Sequence, residues 1–281
     1  MEYAVRLEEP TEVPTDPRNA CAAEWREVLP RGRLAALYFG SEFCEDRIPG
    51  HETGDAFCRA AKKRRLEAAL LSPPVTADGL ARIDALLRFL ARRGFRPAVV
   101  FNDWGVLRLL AQDHPALPRR AGRLLNRSLR DPRAGPAAYP DGTGARGGRL
   151  RAFLAGRGVE ALETDPDLEG THLGDGEEGL QRVLHLPYSF VASGRNCLLK
   201  TGAEAPEAEL LGGSGGPGVA SRLGSPCSLR CRGGPLAVRR QDTRDPLWRA
   251  GNTLFCEVSR DAARFHLGRA DRVVLHRRPS P

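Results

Sequence analysis

Short apolar runs alternating with amphipathic helical segments limit most strongly what this chain can fold into. LAALYFG (34–40), LEAALL (66–71) and PAVVF (97–101) are each closed by turn-forming residues, as strands buried on both faces are. Leu80, Ile83, Leu87 and Leu90 recur at helical spacing with arginines on the other faces, which predicts an amphipathic helix over 76–93 ended by Gly94. Helix-like sequence also covers about 54–65, and WGVLRLLAQ carries a short helix with Asn102 or Asp103 as its N-cap.

Further strand candidates are GRLLNRSL from Gly122, VEALET (159–164), RVLHLPYS (182–189), GNTLFCEV (251–258) and DRVVLH (271–276), with helices at LRAFLAGRG and DAARFHLG. About eight strands alternating with helices argue a mainly parallel α/β fold, an incomplete or distorted (β/α)8 TIM-like barrel, since some helices are replaced by loops. One domain spans 1–281, with 1–30 as an N-terminal extension and flexible loops at 131–148 and 201–224, both rich in Gly, Pro, Ala or Glu.

In such a barrel the chemistry belongs where strands end and loops begin. Polar residues gather at those positions: Glu42 and Cys44, Asn102 and Asp103, Asn126, Glu163 and Asp165, His185 and Tyr188. Asn102, Asp103 and Asp165 suit helix caps and turns equally well. The six histidines are dispersed, and His185 is read as the one at a strand end, where a structural role competes with that of a general base.

Several patterns resemble motifs without their context. GGSGG (212–216) matches a nucleophile elbow around Ser214, but loop flanks it on both sides. GTGARG (142–147) matches a dinucleotide fingerprint with no buried strand before it. A P-loop and an H-E-x-x-H zinc helix are both absent.

The formal charge of +8 comes almost wholly from scattered arginine, read as a solvated basic surface in preference to a nucleic-acid track. No run approaches the roughly 18 apolar residues of a membrane span, and MEYAVRLEEPTEVP lacks a signal-peptide core, so a cytoplasmic protein is expected. In that reducing compartment, seven cysteines point to metal ligation, catalysis or burial and not to a disulfide framework.

Cys227 and Cys231 in PCSLRC stand at i and i+4, close enough to share one metal centre. A cubane iron–sulfur cluster needs four thiolates. Loops distant in sequence meet at a barrel mouth, so Cys44 and Cys197 can join the pair; Cys256 is a rival, while Cys21 and Cys58 are bystanders. By spacing alone, a structural zinc site or unligated buried thiols fit equally.

LYFGSEFCEDR, VVFNDWGVL, GRLLNRSLRDPR, LPYSFVASGRNCLLK, PCSLRC and RAGNTLFCEV resemble, in order, segments of the collagenase-like peptidase family (family U thirty-two). The likeness runs from about residue 34 to the C-terminus and is greatest to the short members related to UbiU and UbiV. It implies an incomplete TIM-like barrel with a 4Fe-4S cluster on Cys44, Cys197, Cys227 and Cys231. It also implies a part in oxygen-independent hydroxylation, in ubiquinone biosynthesis or on RNA bases, and a family paralogue as hetero-oligomeric partner. The chain departs from the family pattern in the expanded Gly-rich loop before Cys227 and in Cys256, where an aromatic residue is expected. The family name suggests a peptidase as the alternative, and a non-catalytic, cluster-bearing subunit is a third reading. For a hydroxylase component, Arg195 and Arg123 are candidates to hold an anionic oxygen donor or substrate, or else to form surface ion pairs. Tyr188 and Trp104 are candidates to line an apolar pocket, or else belong to the core.

Overall fold

The computed structural model of the chain describes residues 1–125, 148–166, 179–195, 197, 227–239, 241, 243 and 245–281. The calls at Asn126, Ser214, 131–147 and 201–224 lie outside them.

Eight parallel strands close into a barrel. In chain order they are β1 (Glu2–Arg6), β2 (Arg33–Gly40), β3 (Glu67–Ser72), β4 (Ala98–Phe101), β5 (Arg119–Ala121), β6 (Val159–Thr164), β7 (Gln181–Leu186) and β12 (Arg272–His276). Closure runs through β1, which pairs Glu2 to Arg6 with Arg272 to His276 of β12 on one side and with Arg33 to Tyr38 of β2 on the other. The architecture is therefore an α/β TIM-like barrel, complete in its strands.

Helices α1 (His51–Lys63), α2 (Ala77–Arg92), α3 (Trp104–Asp113) and α4 (Gly148–Ala155) follow β2 to β5, and α5 (Arg260–Leu267) precedes β12. In α2, Thr76 caps the N-terminus by accepting from the Gly79 N–H at 3.3 Å. Its Ile83, Leu86, Leu87 and Leu90 are 1% exposed or less against the barrel, each contributing roughly 1.5–3 kcal/mol by burial. No helix among the described residues is long and apolar enough to cross a membrane.

Two strand assignments differ from the sequence reading. Residues 1–30 are not an extension outside the barrel, because Tyr3, Ala4 and Val5 are fully buried within β1. The strand expected from Gly122 lies just before it, at β5, and the chain turns into a 3-10 helix at Arg123–Leu125. Gly122 makes that turn possible: its N–H donates to the Phe101 carbonyl at 2.8 Å, and any β-carbon there would collide with the Asn102 amide.

GNTLFCEV is a strand outside the barrel. After β7 and a cis Leu186–Pro187 bond, the chain builds an antiparallel sheet of β8 (Tyr188–Ser193), β9 (Leu236–Val238), β10 (Leu247–Ala250) and β11 (Thr253–Glu257), in the order β8-β11-β10-β9. Because β8 follows directly on β7, this sheet stands at the C-terminal mouth of the barrel, where the sequence analysis placed the chemistry.

Candidate functional site

Two groups of side chains meet at the mouth: thiols gathered beside the second sheet, and a buried ion network inside the rim.

Cys44 lies in the loop after β2. That loop is fixed on one side by Phe43, whose ring packs on Phe190 at 5.0 Å and edge-to-face on Phe255 at 5.6 Å. On the other side Ser41 Oγ accepts from the Cys44 N–H at 3.0 Å and donates to the Pro281 carbonyl at 2.6 Å. The turn joining β10 to β11 adds the link to the other cysteines. Asn252 Nδ2 donates to the carbonyls of both Phe43 and Gly194, each at 2.6 Å, tying the loop of Cys44 to the segment that leads to Cys197. Gly251, at φ +61°, stands where a β-carbon would come within 3.1 Å of the Pro281 ring and 3.6 Å of Cys231 Cβ.

Cys44, Cys197 and Cys231 are buried and Cys227 is partly exposed. Burial pushes the Cys44 thiol up to about 12, and the Cys197 and Cys231 thiols are near enough to push it the same way. Burial also raises Cys231, opposed by the positive charge of Arg47, with Cys227 close enough to add to the rise. The Leu229 N–H, held by a left-handed φ of +55°, donates to Cys227 Sγ at 3.4 Å. Cys44 is thus within electrostatic reach of Cys197 and Cys231, and Cys231 of Cys227, although no three of the four sulfurs lie within 4.8 Å of one another. The donor set suits soft metal chemistry: four thiolates satisfy either a cubane cluster or one zinc ion, and N–H donation to sulfur tunes such a centre.

The second group is centred on Arg123, which is 0% exposed. It binds Glu42 through Nε at 3.0 Å and through Nη2, Asp165 through Nη1 at 2.6 Å, and the Tyr188 carbonyl at 3.2 Å. Burial alone would raise the Glu42 carboxyl, but Arg123 outweighs it and holds the group below the usual range. Beside Glu42, His185 Nδ1 is 2.8 Å from His276 Nε2, and His185 Nε2 is 2.6 Å from Glu163. Glu163 accepts from the Tyr38 hydroxyl at 2.9 Å, and that hydroxyl accepts from Arg120 Nη1 at 2.7 Å. Small residues facing the same interior, among them Ala4, Ala36, Ala69, Ala98 and Ala161, leave volume for these long side chains.

Of the residues singled out by sequence, Glu42, Glu163, Asp165 and His185 come together; Cys44, Cys197 and Cys231 are buried and Cys227 partly exposed, and no three of these sulfurs lie within 4.8 Å of one another. Arg123 makes no surface ion pair and has no face turned to solvent; its donors are committed inside the rim. Arg195 is exposed. Trp104 is 48% exposed and rests edge-on against Phe153 at 5.6 Å. Tyr188 is half-buried beside the Phe43 cluster.

Asn102 and Asp103 hold backbone in place. Asn102 donates to the Ser72 carbonyl and accepts from the Leu124 N–H, both at 3.0 Å, and Asp103 caps α3 at Gly105. Cys256 packs with Val238 and Leu247 in the second sheet, while Cys58 sits in the main core and Cys21 packs against it.

Sequence reasoning missed His276, Tyr38, Arg120 and Arg6. His276 ends the run DRVVLH as His185 ends RVLH, so the same strand-end signal was present. Arg6 and Arg120 carry no apolar signal at all. They are buried because Glu8 and Glu67 pair with them, and several of the arginines read as a solvated surface are in fact interior.

No protein-family model and no curated protein matches the chain. Two solved structures superpose on nearly all of it. One is the U32 peptidase Mk0906, at TM-score 0.41 and 12% identity, covering 100% of this chain and 93% of that one. The other is an immunomodulatory active chitinase from Trichuris suis, TsES1, at TM-score 0.33 and 10% identity, covering 97% and 90%. Both likenesses fall below a TM-score of 0.5, and neither bears on what this chain binds or turns over.

Proposed function

We propose that this chain is an iron–sulfur protein, with a 4Fe-4S cluster held by the thiolates of Cys44, Cys197, Cys227 and Cys231, and that it takes part in oxygen-independent hydroxylation. The substrate is a ubiquinone-type precursor or an RNA base, and a paralogue of the chain serves as partner. What supports the reading is that Asn252 ties the Cys44 loop to the segment leading to Cys197, and that Cys44 lies within electrostatic reach of Cys197 and Cys231, as Cys231 does of Cys227.

A bound cluster supplies one-electron transfer at a potential set by burial and by hydrogen bonds to sulfur. The protein's own residues prepare for it. Phe43, Phe190 and Phe255 shield the Cys44 side from water. Arg47 places a positive charge near Cys231, which offsets part of the charge of a thiolate. Thiol protons leave as metal binds, so burial that raises Cys44 to about 12 makes loading favour higher pH.

The peptidase alternative gains nothing from the geometry. Both ring nitrogens of His185 are engaged, by His276 and Glu163, and neither is set against a nucleophile. Anaerobic purification of the full chain tests the proposal: a brown protein bleached by Cys227→Ala supports it, and a colourless, iron-free one refutes it.

A further inference from the structure

We propose that the rim of the barrel holds a second metal site, independent of the thiols, in which His185 Nδ1, His276 Nε2 and a Glu42 carboxylate oxygen bind one divalent transition-metal ion. These three donor atoms lie within 4.8 Å of one another, all on buried side chains. The individual separations are 2.8 Å between the two imidazole nitrogens and 3.9 Å from His185 Nδ1 to Glu42 Oε2. Two bonds of zinc–imidazole length at a tetrahedral angle span about 3.3 Å, so a slight opening of the histidine pair admits an ion. Two imidazoles and one carboxylate form a donor set that suits zinc and iron(II).

The surroundings orient the ligands. Glu163, 2.6 Å from His185 Nε2, accepts that ring's proton, which in the neutral ring leaves the lone pair on Nδ1, facing His276. This is the carboxylate–histidine arrangement that commonly supports a metal-bound imidazole. Tyr38 in turn donates to Glu163 at 2.9 Å and fixes it. Without an ion the 2.8 Å contact is a hydrogen bond in which His276 Nε2–H donates to the lone pair on His185 Nδ1, and a bound ion displaces this one proton.

Three carboxylates, Glu42, Asp165 and Glu163, border the site, and Arg123 is shared between the first two. Arg6 lies within electrostatic reach of both Glu42 and His276.

The test is zinc-edge X-ray absorption on the full-length protein after equilibration with zinc chloride and removal of unbound ion. The expected result is about one zinc per chain in a nitrogen and oxygen shell near 2.0–2.1 Å with imidazole scattering, in addition to any zinc that the thiols hold through sulfur near 2.3 Å. Zinc held through sulfur alone, or no retained zinc, overturns the proposal. In folded variants, checked by circular dichroism, His276→Gln removes this signal, and Glu163→Gln weakens zinc affinity about 10–100-fold. Unchanged zinc binding in a folded His276→Gln protein also overturns it. The wild-type spectrum decides the question even if both variants unfold.

Discussion

The side-chain amide of Asn252 donates to the Phe43 carbonyl at 2.6 Å, so the turn of the second sheet grips the loop that carries Cys44. The same amide grips Gly194, and one residue thereby sets the spacing between two cysteine segments that are far apart in the chain. Asn252→Leu leaves the carbonyls of buried Phe43 and exposed Gly194 without this donor; the buried one costs about 1–3 kcal/mol when unsatisfied. Urea denaturation is expected to show a loss of about that size, and iron content per chain is expected to fall further than in an equally destabilised variant remote from the mouth.

Arg123 joins Glu42 to Asp165 with all three side chains 2% exposed or less. Arg123→Met removes the positive member that both buried carboxylates share. The expected cost is about 3–5 kcal/mol, largest at neutral pH and smaller in acid, where Glu42 protonates. Chemical denaturation at pH 7 and pH 4 checks both the size and the trend.

Phe255 is 1% exposed and meets Phe43 edge-to-face. Phe255→Ala opens a cavity between the second sheet and the Cys44 loop, at a cost of about 3–5 kcal/mol. Thermal melts report the loss, while Phe255→Leu, which refills most of the volume, is expected to recover more than half of it.

Acid sensitivity should appear at Glu8. Burial would raise its carboxyl, but Arg6 and Arg47 together outweigh burial and hold it at about 2 against an ordinary 4.5. A depressed carboxylate contributes stability that is complete above pH 4.5 and disappears as pH falls toward 2. The contribution is about 3 kcal/mol at most. Denaturation midpoints of wild type and Glu8→Gln, measured from pH 6 to pH 2.5, are expected to converge in acid, with the wild type the more stable above pH 4.5.

Much of the barrel was legible in sequence because strands buried on both faces read as continuous apolar runs: Leu37 and Phe39 of β2, Val99 and Phe101 of β4, and Val273 and Leu275 of β12 all pack outward into one core. The exceptions share a physical cause. β1 runs from Glu2 to Arg6 with only three apolar residues between, and β5 is Arg119, Arg120 and Ala121. Each strand carries a buried arginine paired with a carboxylate, Arg6 with Glu8 and Arg120 with Glu67, so the apolar run is too short to read as a strand. The strand count survived because GNTLFCEV, which is apolar for a different reason, stood in for β1; it packs Phe255 and Cys256 within the second sheet. For the site, the four cysteines are grouped by loop topology and the family resemblance alone, and the Asn252 turn that ties the Cys44 loop to Gly194 has no signature beyond Gly and Asn in a hairpin. His276 showed only as the end of a strand, and its pairing with His185 depends on β12 lying beside β7.

Iron and acid-labile sulfide, quantified on full-length protein purified without oxygen, test the central claim most directly. The account predicts about four of each per chain, lost together in Cys44→Ser, Cys197→Ser, Cys227→Ser and Cys231→Ser, and kept in Cys256→Ser. A protein without iron and sulfide, or one whose iron survives all four of the first substitutions, would contradict it.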